Sequence, residues 1–278
     1  GTQQQAFSLY RCASAAIKAY DRNLMVGGMA FTCYNAYAEE FIKFCAENKL
    51  ALDFISYHIY TDKISEIEQL ISSYDKFLLE NGFLHTERIL DEWNYFGDEA
   101  FEGVLWDACR TNPHVAKRLY ENQKSEVGAS FAAAAMIRMN DMPLDIAAYY
   151  DSQPAMHWCG LYDTYGIRQK TYHAFRAYGK LYQSQGTLVE TRTEAEGIYA
   201  LACRDEARTL VLISNFGGQD GSIALSLRGL GEQEKSAELY LLDDEYDLAP
   251  YRKEVFHGDQ VVQTLRMKNH SVALIEII

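Results

Sequence analysis

Short apolar runs alternate with amphipathic stretches through the first two thirds of this 278-residue chain, and that alternation restricts the fold more than any other feature. Apolar spacing predicts helices over about 6–20, 36–48, 64–79, 125–139 and 170–182, the fourth of them unusually rich in alanine. Runs at 24–28, 52–60, 88–92 and 144–150 read as strands, the first of them ending in the turn signal Gly27-Gly28. The stretch around Trp106 reads as a long loop. Strands that are mostly apolar and alternate with helices are the pattern of βα units on a parallel sheet buried on both faces. After Gly186 the pattern changes to short strands at 198–203, 210–214, 223–227, 237–242, 261–265 and 272–277. Gly217-Gly218, Asp220-Gly221 and Gly258-Asp259 punctuate them and no helical stretch intervenes, which predicts an antiparallel β-sandwich.

A complete (β/α)8 barrel needs ~250 residues and opens on a strand. Residues 1–186 supply four βα units and open on a helix. The expected architecture is therefore α/β: the second half of a (β/α)8 TIM barrel, strands five to eight, over 1–186, then an all-β antiparallel sandwich over 187–278. A solitary half-barrel exposes two parallel edges and an apolar interior, an adhesive arrangement. The expected cover is a missing N-terminal half-barrel, or a second copy paired across a two-fold axis as a homodimer.

Composition narrows the partners. The formal net charge is -13 and no Lys/Arg cluster occurs, so neither nucleic acid nor an anionic membrane surface is expected as a partner. No apolar run approaches the ~20 residues of a membrane-spanning helix. The six cysteines are scattered, without a CxxC pair or histidines at ligand spacing, so free thiols and no metal site are expected.

The chemistry gathers where predicted strands end. In Arg88-Ile89-Leu90-Asp91-Glu92-Trp93-Asn94-Tyr95-Phe96 an apolar run stops at paired acids, then at two aromatics flanking an amide. A carboxylate can act on an anomeric carbon, an aromatic ring can stack on a sugar face and Asn94 can bond a hydroxyl. The competing reading is a strand end with solvated acids and core aromatics. Strict alternation points Asp91 away from Glu92, as a structural acid, and leaves Trp93 as core or platform. His58 and Tyr60, two residues apart, share one side of their strand, facing either a sugar or the core. Asp151, at the end of the fourth strand, and Trp158 beyond it are candidates for sugar contact or for packing.

Together, Val26-Gly27-Gly28, Asp53-Phe54-Ile55-Ser56-x-His58-x-Tyr60 and Asp91-Glu92-Trp93-Asn94, followed by an aromatic last strand and a sandwich, resemble the family 39 glycoside hydrolases. That family includes β-xylosidases and α-iduronidases and belongs to the clan of retaining (β/α)8 glycosidases. The resemblance implies that Glu92 is the catalytic nucleophile, that His58 and Tyr60 line the catalytic subsite and that Trp158 is an aromatic wall. It also implies a glycoside or oligosaccharide substrate, no cofactor, and a secreted or periplasmic bacterial protein, whereas unpaired cysteines fit a reducing compartment. The family's general acid/base lies in an Asn-Glu-Pro motif ending strand four, and no Asn-Glu-Pro occurs here. Two readings follow: an enzyme for which this chain carries the nucleophile half of the site, or a non-catalytic carbohydrate-binding or assembly module on the same fold.

Overall fold

Helix α1, Gln3–Tyr20, starts three residues before its apolar periodicity does, because Thr2 and Gln5 form a reciprocal cap. The Thr2 hydroxyl accepts from the Gln5 amide at 3.3 Å, and the Gln5 side chain accepts from the Thr2 amide at 2.8 Å. The computed structural model describes residues 1–99, 101, 103–154 and 157–278. They fall into two compact units, Gly1–Asn94 with Met139–Tyr150, and Tyr95–Arg138 with Asp151–Ile278. Among the described residues no helix is long and apolar enough to cross a membrane.

The first unit continues with β1 (Gly27–Phe31), α2 (Ala36–Glu47), β2 (Phe54–Thr61), α3 (Ile64–Glu80), β3 (Glu87–Tyr95, its last residue counted with the second unit) and β4 (Ile146–Tyr149). The strands lie in the order β1-β2-β3-β4, and both the β1–β2 and β3–β4 pairs are parallel. Asn35 starts α2 by accepting from the Tyr37 and Ala38 amides. Behind the sheet, Tyr10 meets Phe41 edge to face at 4.8 Å, and Tyr57 of β2 stacks on Tyr74 of α3 at 4.3 Å. Ile67, Ile71 and Leu78 complete the apolar stripe of α3, each 0–1 % exposed.

β1 is displaced from its expected span. Leu24 and Met25, which carried the apolar signal, are exposed, and Gly27-Gly28 open the strand instead of ending it. A Cβ on Gly27 would lie 1.9 Å from the Phe54 carbonyl oxygen, so the glycine marks close strand approach, not a turn. β4 is shorter than expected, and as an edge strand it leaves Ile146 49 % exposed.

In the second unit the stretch around Trp106 is helical: α4 (Leu105–Thr111) and α5 (Pro113–Asn122) replace the expected loop. Asn112 accepts from the His114 amide and Pro113 takes the first helical position, where its missing N–H costs nothing. α6 (Glu126–Met139, its last residue counted with the first unit) and α7 (Lys170–Gln183) follow.

The rest of the unit is β5 (Thr187–Val189), β6 (Ile198–Arg204), β7 (Thr209–Asn215), β8 (Gly221–Arg228), β9 (Lys235–Leu242), β10 (Asp247–Phe256), β11 (Gln260–Met267) and β12 (Ser271–Ile277). They form a six-stranded sheet, β10-β9-β12-β7-β6-β5, and a two-stranded ribbon, β11-β8, with antiparallel pairings. Alternate residues of the central strands enter two different cores. Leu201, Leu210, Leu212 and Leu274 pack with Ala129, Ala133 and Ile137 of α6 and Ala174 and Ala177 of α7. Ala202, Val211, Ile213 and Ile275 pack with Leu265 and Met267 of β11 and, less deeply, Leu225 of β8. The small side chains of α6 let the helix sit close to the strands, and burial on both faces explains why β7 and β12 are apolar almost throughout.

Glu276 of β12 is 8 % exposed and accepts from Arg208 and, at 3.2 Å, from Lys180. Burial pushes its carboxyl up, but the two cationic donors outweigh burial and hold it below its ordinary 4.5. A depressed carboxylate contributes stability above its unfolded value and loses it as pH falls through the folded one. Glu276→Gln is therefore expected to cost roughly 1–2 kcal/mol at pH 7. Thermal melts should show the gap from the parent closing as pH drops from 4.5 downward.

Candidate active site

Strand alternation puts His58 and Tyr60 on the same side of β2, with ring centroids 6.3 Å apart. β3 answers them through an irregularity. Ile89 and Leu90 pair with Ile146 and Ala147, but the next partners are Trp93 and Tyr149, so β3 carries one residue more than β4 at Asp91-Glu92. Such a bulge bends the strand and re-aims its side chains.

Through the bulge both acids reach the side of β2 that carries His58 and Tyr60. The Tyr60 hydroxyl donates to Glu92 Oε2 at 2.5 Å. His58 Nδ1 faces Asp91 Oδ1 at 3.5 Å. Asp91 was expected to turn away from Glu92, and the extra residue is why it does not. The Tyr60 ring is also met edge-on by Tyr150, at 6.3 Å. Glu92 thus has one oxygen fixed by a phenol in the C-terminal half of β3, which runs on to Tyr95, and this placement leaves the other oxygen to approach an electrophilic carbon.

The neighbouring residues divide. Trp93 is 1 % exposed and meets Tyr149 edge to face at 5.1 Å, so of its two readings the structure shows the core residue and leaves no open ring face as a platform. Asn94 is equally buried and donates from Nδ2 to the Tyr150 carbonyl at 2.7 Å, tying the end of β3 to the end of β4. The Tyr150 amide in turn donates to the Trp93 carbonyl. Both residues brace the strand end that holds Glu92.

Asp151 and Trp158 belong to the second unit. Asp151 accepts from the Gln153 amide at 3.0 Å, a local turn. Trp158 joins a ring cluster in which Phe96 stacks on Trp106 at 4.2 Å, with Trp158 5.7 Å from Phe96 and 5.8 Å from Trp106. Trp106 is 41 % exposed. It lies on α4, where the sequence pattern predicts loop.

Compared with known proteins, the chain is similar to glycoside hydrolases. The family described as glycosyl hydrolases family 39 matches residues 1–95, which include His58, Tyr60 and Glu92. A β-xylosidase from Caldicellulosiruptor saccharolyticus is 26 % identical over 231 residues, which are 77 % of this chain and 44 % of that protein. Among solved structures, a glucosidase from Croceicoccus marinus superposes with a TM-score of 0.75 at 20 % identity, covering 100 % of this chain and 65 % of that one. A monomeric β-xylosidase from Caulobacter crescentus CB15 gives a TM-score of 0.71 at 16 % identity, covering 99 % and 66 %. These two likenesses show the fold. The family match is confined to residues 1–95, and the β-xylosidase likeness extends over 231 residues. The chain spans less than half the length of that curated relative.

Proposed function

We propose that this chain is the nucleophile-bearing part of a retaining glycoside hydrolase acting on β-xylosides or related plant or host oligosaccharides. In this reading residues 1–186 are strands five to eight of a (β/α)8 barrel with their helices, and 187–278 are the appended sandwich. The observation that carries it is the Tyr60 hydroxyl on Glu92 Oε2, one acid oxygen fixed in the C-terminal half of β3. The free oxygen attacks the anomeric carbon as the glycosidic C–O bond breaks, and a second carboxyl group protonates the leaving oxygen. Water, deprotonated by that second group, then displaces Glu92 and releases the sugar with its original anomeric configuration. His58 and Tyr60 contact the sugar bound at Glu92. In the second unit, Trp158 and its ring neighbours supply apolar faces of the kind sugars stack on.

This reading requires a second carboxyl group ~5 Å from Glu92. The test is an aryl β-xyloside offered to the intact protein, with proton NMR of the first anomer released. β-Xylose appearing first is expected. α-Xylose first would mean an inverting enzyme, and binding of xylo-oligosaccharides with no hydrolysis would identify a carbohydrate-binding module; either result overturns the proposal.

A further inference from the structure

We propose that Asp91 is a positioning residue whose carboxylate holds His58 in the tautomer protonated at Nδ1, so that Nε2 presents a lone pair to a sugar hydroxyl. The inference deepens, and rests on, the reading of Glu92 as nucleophile. Its basis is a pair of buried atoms. His58 Nδ1 and Asp91 Oδ1 are each buried without a hydrogen-bond partner among the described residues, and they face one another at 3.5 Å. A buried polar atom left unpaired is costly, and the remedy open to both is a hydrogen bond between them. Only a proton on Nδ1 makes that bond. With the proton on Nε2, the Nδ1 lone pair would point at a carboxylate, acceptor against acceptor.

Two further features give the pair a role beyond packing. The His58 side chain is 21 % exposed although Nδ1 is buried, so its accessible surface belongs to atoms other than Nδ1. The bulge that turns Asp91 toward His58 also delivers Glu92 to Tyr60, so one backbone irregularity sets both contacts. A contact of 3.5 Å without substrate is of the kind that tightens when a bound group engages the other side of the ring.

The experiment is nitrogen NMR of the intact protein labelled with 15N-histidine, recorded at alkaline pH where ordinary imidazoles are neutral, with His58 assigned through His58→Gln. The expected His58 signature is a protonated Nδ1 and an unprotonated Nε2. Asp91→Asn should move the proton to Nε2, because the amide can donate to Nδ1, and Asp91→Glu should return it. Asp91→Asn should also lower kcat/KM on an aryl β-xyloside by roughly a hundredfold, with partial recovery in Asp91→Glu. A parent spectrum with the proton on Nε2 overturns the inference without any variant having to fold, and so does an Asp91→Asn spectrum identical to the parent's. If the parent hydrolyses nothing, the glycosidase reading falls while the spectrum still decides the Asp91–His58 pair. If Glu92→Gln abolishes hydrolysis yet His58 carries its proton on Nε2, this inference falls and that reading stands.

Discussion

Glu92→Gln in the intact protein is expected to reduce hydrolysis of an aryl β-xyloside by on the order of 10⁴-fold or more, with folding unchanged. The size follows from the role. A nucleophile that forms the covalent intermediate cannot be replaced by a neutral amide, since the amide oxygen lacks the charge that attacks the anomeric carbon. Folding should be spared because Gln matches Glu in shape and its carbonyl can still accept the Tyr60 proton now bound by Oε2. Steady-state kinetics and a thermal melt of the same preparation are the measurement. Parent-like turnover would remove Glu92 from the chemistry, and a collapsed melt would make it structural.

Gly27→Ala should have the largest effect on stability, about 3 kcal/mol, with a fall in Tm of roughly 6–12 °C. The new methyl would lie 1.9 Å from the Phe54 carbonyl oxygen, 2.6 Å from Phe54 Cγ and 2.7 Å from its carbonyl carbon. Two of those atoms are backbone, and Gly27 is paired with Phe54 in the β1–β2 ladder, so relief means moving one strand off the other. Gly179 of α7 is the control within the same experiment. It has open space around its Cβ position, and Gly179→Ala in a helix interior should be stabilising by up to about 1 kcal/mol. Calorimetry of both variants checks the pair, and equal melts would refute the close-approach account of β1.

Periodicity made α1, α2, α3, α6 and α7 legible, and it located β2 and β3, whose inward residues are apolar and whose ends are polar. It failed where another force sets the structure. β10 was missed because it is an edge strand, with Pro250, Arg252 and Lys253 on a segment that has one neighbour, β9, and no apolar alternation. α4 and α5 were read as loop because their signal is a cap and a proline at 112–113, not a long apolar stripe. At the site, alternation alone identifies His58 and Tyr60 as a pair, but it ends the strand at Glu92, whereas β3 runs on to Tyr95. It assigned Asp91 to the wrong side because a bulge leaves no mark in residue periodicity. It also leaves Trp93 between core and platform, which burial decides for the core, and it reads Asn94 as a partner for a sugar hydroxyl, whereas the buried amide donates to the Tyr150 carbonyl.

The single extra residue in β3 gives the length of that strand a meaning separate from its composition. Before the bulge, Leu90 keeps step with Ala147; after it, Trp93 keeps step with Tyr149, so the two stretches of β3 follow opposite parity relative to β4. Removing one residue between them would restore regular pairing and preserve almost every side chain. It would also leave one carboxylate where two now meet His58 and Tyr60. A count of residues, as much as their identity, decides what the mouth of this sheet presents.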